Sequence, residues 1–282
     1  MDLSIFGYQF MQNAIIATLL GGIACGTIGV FVVLLHMPFI GVAMSHAAFA
    51  GALLGLWLGF NPLIGAFVFC LGASAVIGPM ADRGQLSPEM SLGVVFSLML
   101  GLAFLFIGII PNTRSEALDL LWGSILTISR GDLILLGIVA FLVVALVIVF
   151  AKEIQATIFS RNVALAVGIP ATLVLYSIIF LTGATITVTL RSIGGLLIFS
   201  LILNPAAAAY QLTYSMKRMF LISVGFGVLS CWFGLLFSYL FNLPSGATII
   251  ITSSLIFMLA VALSPKRRTM GWRQRITLET KQ

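Results

Sequence analysis

The chain has 282 residues, of which 61% are hydrophobic and only 8% are Asp, Glu, Lys or Arg; soluble domains carry roughly 25% charged residues. No charged residue occurs between positions 3 and 81 or between 219 and 265. Intervals this long cannot cover the exposed faces of a soluble fold, whereas about 20 apolar residues cross a ~30 Å hydrocarbon core, so each must hold several membrane spans.

Turn residues and charges divide the apolar sequence into about nine spans, predicted at 11–35, 41–59, 62–81, 91–110, 132–151, 171–190, 194–213, 218–241 and 246–264. Eight to ten spans fit the same pattern, with shorter or Pro-bearing segments re-entrant rather than spanning. The expected fold is an all-α polytopic membrane helix bundle: one transmembrane domain over 1–265, then a basic tail over 266–282. No Lys or Arg precedes the first apolar stretch, so the positive n-region of a cleaved signal peptide is missing. Twenty-eight glycines suit membrane helices whose backbones approach closely. Cys25, Cys70 and Cys231 lie far apart inside predicted spans and read as small packing residues rather than a disulfide framework or CxxC metal site.

Orientation follows from the basic residues, which cytoplasmic loops retain. Nine spans with an external N-terminus put Arg83, Lys152, Arg161, Lys217, Arg218 and the tail residues Lys266, Arg267, Arg268, Arg273, Arg275 and Lys281 inside, and only Arg114, Arg130 and Arg191 outside. The tail then meets anionic membrane lipid as a topology anchor, rather than nucleic acid. Two connections are too long to be simple turns. The external one, 111–131, carries Glu116, Asp119 and Trp122 and reads as an interfacial helix followed by a short cap. The cytoplasmic one, 152–170, sets Ile154, Ile158, Val163 and Val167 among polar neighbours and closes with Gly168 and Pro170. It reads as a short helix exposed to a soluble partner, with a solvated connector as the alternative.

Several activities are excluded. There is no GxxxxGK loop to cradle phosphate, so the chain does not hydrolyse ATP alone. There is no HExxH motif and no pair of embedded carboxylates for acid and base chemistry. An ion-coupled carrier normally needs an ionisable residue at membrane depth, yet all eight acids fall in loops, tails or span ends. What remains is a conduit energised by a partner.

The residues at membrane depth that ask for a reason are few. His36 falls at the turn after the first span, where an interfacial role suffices. His46 lies inside the second span, where an imidazole needs a polar partner or a water-filled path; both readings stand on sequence alone. The same helix continues with Gly51, Gly55 and Gly59, a GxxxG stripe that lets another helix pack closely, and Ala47 puts His46 beside that face. In the seventh span Pro205 frees the carbonyl of Leu201, and Asn204 adds a polar side chain next to it. A kink lining the conduit and a simple packing kink both account for that pair.

Together these residues resemble the permease subunits of ABC importers for zinc, manganese and iron. The resemblance covers almost the whole chain. It is carried by Gly41-Val42-Ala43-Met44-Ser45-His46-Ala47-Ala48-Phe49-Ala50-Gly51, similar to the family's G-D-A-I-S-H-A-V-L-P-G, and by Ser91-Leu92-Gly93-Val94-Val95-Phe96-Ser97 and Leu121-Trp122-Gly123-Ser124-Ile125-Leu126. Ser192-Ile193-Gly194-Gly195-Leu196-Leu197 leads to Asn204-Pro205-Ala206-Ala207-Ala208-Ala209, and Leu243-Pro244-Ser245-Gly246-Ala247 precedes the last span.

The resemblance implies an inner-membrane permease with a cytoplasmic C-terminus and no bound cofactor. Its partners would be two cytoplasmic ATPase subunits, a second permease, identical or not, and an extracytoplasmic metal-binding protein. It places the coupling contact with the ATPase in 152–170, at Ser160, Arg161, Asn162, Ala164 and Gly168, and the metal path at His46, with Ser45, Asn204 and Pro205 lining it. The region of Glu116 and Asp119 would face the binding protein. One departure matters: the family's Asp four residues before the His is here Val42, and the paired carboxylate and imidazole are lost. Cargo in another coordination state or as a chelate, a non-identical second permease that supplies the acid, and a dispensable Asp are three explanations. An ion-coupled secondary carrier is the competing function.

Overall fold

The computed structural model describes residues 7–83, 87–110, 120, 123, 125, 128–194 and 198–266. Its helices, in chain order, are α1 (Gln9–Leu34), α2 (Phe39–Leu58), α3 (Pro62–Arg83), α4 (Pro88–Ile109), α5 (Arg130–Val149), α6 (Ala151–Phe159), α7 (Arg161–Ala166), α8 (Ala171–Ile193), α9 (Ile198–Leu212), α10 (Met216–Phe241) and α11 (Ser245–Ala262). Among the described residues there is no strand. Among the described residues, eight helices are long and apolar enough to cross a membrane. The seventh predicted span is the shorter one, α9 with 15 residues, or roughly 22 Å at 1.5 Å per residue.

Helix ends are set by local chemistry. The Ser87 side chain accepts from the Met90 amide at 3.2 Å, with Pro88 in the first turn, to start α4. Ser129 and Asp132 form a reciprocal capping box at the start of α5. Gly59, at φ +76°, ends α2 in the left-handed region that glycine favours. The GxxxG stripe therefore stops at Gly55, and Gly59 is a cap rather than a packing residue.

Small residues decide which helices are central. A Cβ on Gly22 would stand 2.7 Å from the Val228 amide nitrogen, and one on Gly26 2.9 Å from Val224 Cα, so α1 and α10 meet backbone to backbone. The Ser223 hydroxyl locks that contact by donating to the Gly26 carbonyl at 2.6 Å. Gly29, on the same helix, lies against the Ile202 carbonyl of α9. Gly51 and Gly65 clamp α2 to α3 in the same way. Helices α1, α2 and α8 are mostly buried, whereas few residues of α4 and α5 are, as in lipid-facing helices. Gly183 on α8 packs against Cys70 of α3 and Met44 of α2. All three cysteines are buried and free.

The 111–131 connection is described only near its end. Leu120, Ile125 and Ile128 join the apolar core there, and Gly123 abuts the backbone at Ile193 and Gly194. The described residues of this connection pack against the bundle. Glu116, Asp119 and Trp122 lie outside the described residues.

Candidate functional site

His46 sits in the middle of α2, half-buried, and two groups fix its ring. One nitrogen, Nδ1, is 2.9 Å from the Val42 carbonyl oxygen one turn back. The Phe96 ring of α4 stands edge-on to it, with centroids 4.8 Å apart and planes at 86°. A carbonyl only accepts, so the Nδ1 facing it carries the proton, and in the neutral imidazole Nε2 keeps its lone pair for a ligand. An imidazole held by a carbonyl on its far nitrogen is the usual second-shell arrangement of a metal-binding histidine. Among the described residues, however, no group of three His, Cys, Asp or Glu side chains comes together.

The residues named with His46 go different ways. Ser45 is buried, and its hydroxyl donates to the Gly41 carbonyl of its own helix at 2.7 Å. Asn204 donates from its amide to the hydroxyls of Ser253 and Ser254 on α11, both at 3.0 Å. Pro205 is buried, and α9 runs on through it. Within one chain, therefore, His46 engages α4 while Asn204 ties α9 to α11. Next to His46, Met44 takes part in a small polar knot. The Cys70 thiol lies 3.5 Å from the Met44 carbonyl oxygen, and Thr187 of α8 donates to the Cys70 sulfur at 3.4 Å.

The 152–170 segment folds as two short helices, α6 and α7, rather than one. They meet at Ser160, which is extended and whose hydroxyl accepts from the Val163 amide to cap α7. Arg161 reaches across to α8 and donates to the Thr172 hydroxyl at 2.9 Å. Ala164 is buried, and its carbonyl accepts from the Ile169 amide, while the Gly168 amide donates to the Leu165 carbonyl. With Gly168 at φ +85°, these two bonds make a Schellman end. Asn162 points outward. Ile154 turns into the core, but Phe159 is 87% exposed and Val163 and Val167 are 56% and 68% exposed. The result is an apolar knob on two short helices, the second of them capped at both ends.

Sequence reasoning missed Phe96, Phe159 and the Ser253–Ser254 pair. Phe96 lies within a motif already singled out. Two adjacent serines in a charge-free helix were a signal that a buried amide had a partner.

His36, at φ 55°, forms the exposed turn between α1 and α2. It contributes nothing to the His46 environment.

Comparison with known proteins agrees with this architecture. The ABC 3 transport family matches residues 7–264. The chain is similar to the manganese transport system membrane protein MntC of Listeria monocytogenes, 31% identical over 96% of this chain and 97% of that one. It is also similar to the manganese import system permease protein ScaB of Streptococcus gordonii, 31% identical over 93% and 94%. Among solved structures, PsaBC from Streptococcus pneumoniae in complex with Fab superposes with a TM-score of 0.85, at 29% identity and covering 96% of this chain and 97% of that one. The chain belongs to the ABC 3 transport family, the permeases of zinc, manganese and iron importers.

Proposed function

We propose that this chain is the membrane path of an importer for a divalent transition metal, manganese in the first instance, driven by ATPase subunits that it does not itself contain. The relatives' names supply manganese. The observation that carries the rest is the apolar knob of Phe159, Val163 and Val167 on α6 and α7. An 87% exposed phenylalanine on a short helix outside the spans is a surface that a soluble partner covers. The permease body spans 1–265, the knob and the basic tail 266–282 face the cytoplasm of the inner membrane, and a second permease completes the conduit. An extracytoplasmic metal-binding protein delivers cargo to the opposite face. ATP binding and hydrolysis rock the pair between outward and inward access, and the metal passes His46, with Ser45, Asn204 and Pro205 supporting the path. Ser160, Arg161, Asn162, Ala164 and Gly168 hold the docking helices in shape.

A second reading has its own observation. With Val42 in place of an acid and no carboxylate anywhere in α2, a chelated metal that brings its own ligands suits the path as well as a bare ion. Uptake in proteoliposomes, with the chain reconstituted alongside its ATPase, is the test. ATP-dependent accumulation of manganese supports the first reading. Accumulation of the chelate alone supports the second, and uptake in a proton gradient without ATPase replaces both with a secondary carrier.

A further inference from the structure

Where α5 ends and α10 begins, the bundle leaves a groove of about 520 Å³. Both helices pack chiefly on α1, and their facing ends stand apart. Ile148, Phe220 and Leu221 wall the groove along its length, and Gln155, Ser215 and Lys217 close it at the level of α6. Ile148 and Leu221 are 70% and 76% exposed, so nothing among the described residues fills it. A second cavity of about 380 Å³ adjoins it through Gln155 and Ser215, and contains Lys266. The Lys266 ammonium lies 3.7 Å from the Tyr210 ring centroid and 4.6 Å from that of Tyr214. Partial burial pushes its pKa below the ordinary lysine value.

We propose that this groove holds one anionic phospholipid, with an acyl chain between α5 and α10 and the phosphate between Lys217 and Lys266. The shape has the two halves of a lipid: an apolar slot at the depth of the spans and a cationic mouth where the spans end. A cavity of several hundred Å³ is of the size that takes a small organic molecule. Lys217 and Arg218 stand in the first turn of α10, which itself holds no acid, and each such cation at the mouth favours anionic lipid over neutral lipid. Tyr210 and Tyr214 are the amphipathic rings that sit at headgroup level. Because Gln155 belongs to α6, the lipid would brace the helix that carries the docking knob. This goes beyond the transport reading and does not depend on which metal is carried.

The full chain, reconstituted in nanodiscs containing equal phosphatidylglycerol and phosphatidylcholine, is released into native mass spectrometry. One phosphatidylglycerol per chain should be retained in preference to phosphatidylcholine. Lys217→Gln and Lys266→Gln should each lower retention about fivefold, and Lys217→Arg should preserve it. Leu221→Trp fills the slot without touching a charge and should remove the lipid. Equal retention of the two lipids, or retention indifferent to Leu221→Trp, overturns the proposal in favour of ordinary boundary lipid. Disulfide cross-linking of two chains through Leu221→Cys overturns it in favour of a second permease. A chain that imports metal yet retains no lipid loses this inference alone.

Discussion

The imidazole of His46 is held between the Val42 carbonyl, 2.9 Å from Nδ1, and the edge-on ring of Phe96, 4.8 Å away between centroids. That pair of contacts leaves the Nε2 lone pair for a ligand. His46→Ala should lower the initial rate of ATP-driven manganese uptake at least the roughly tenfold that loss of an outer-shell partner costs, while co-purification of the ATPase stays unchanged. Unaltered uptake would return His46 to a packing role.

Val42→Asp tests the departure from the family pattern. Residues four apart on a helix face each other, so the introduced carboxylate would reach the ligand shell of His46 and add the charge that a bare divalent ion lacks here. Uptake at low free manganese should rise. If it falls while chelate uptake is unaffected, the path is built for a cargo that carries its own ligands.

Asn204 ties α9 to α11 through Ser253 and Ser254 at 3.0 Å each. Hydrogen bonds between membrane helices are worth about 0.6 kcal/mol on average and at most about 1.7. Asn204→Leu should therefore lower thermal stability in detergent by an amount in that range, and Ser253→Ala by less, because Ser254 remains. Loss of uptake without loss of stability would give Asn204 a role in the path itself.

The glycine clamps make a sharper contrast. At Gly51 any Cβ runs into the backbone of Gly65, whereas at Gly72, on the same α3 as Gly65, a Cβ meets nothing within 4 Å. Gly51→Val should abolish a monodisperse peak in size-exclusion chromatography, overpacking of this kind costing about 1–3 kcal/mol or more where backbone must move. Gly72→Ala should be neutral or slightly stabilising, since alanine is the better helix former by about 1 kcal/mol.

The charge gaps and turn residues located the spans because lipid demands unbroken apolar helices, and that demand is local in sequence. The family motif located His46 for the same reason. What stayed hidden was which faces meet. In a membrane the lipid-facing and protein-facing sides of α4 or α5 are both apolar, so periodicity does not separate them. The Gly59 cap was read as a continuing stripe because a backbone turn and a close contact favour the same residue. The partners of Asn204, 49 and 50 residues away, and the Phe96 ring beside His46 lie on other helices. In 152–170 the polar spacing announced a helix, but only the fold shows that Ser160 splits it and that Phe159 points away from the bundle while Ile154 points in.

Phe159 yields the last prediction. Its side chain is 87% exposed, so replacing it costs the isolated permease little, whereas a docked partner would bury it as an aromatic anchor worth about 2 kcal/mol or more. Phe159→Ala should thus weaken ATPase binding about thirtyfold, measured by titrating the ATPase against the permease in nanodiscs, with no change in thermal stability. Arg161→Glu should weaken it as well, but through shape: the hydrogen bond to Thr172 that anchors α7 on α8 is lost, so stability falls together with affinity. Gly168→Ala, forced to hold φ near +85°, should behave like Arg161→Glu and not like Phe159→Ala. If all three variants bind the ATPase normally, the docking surface lies elsewhere and the knob is left to another partner.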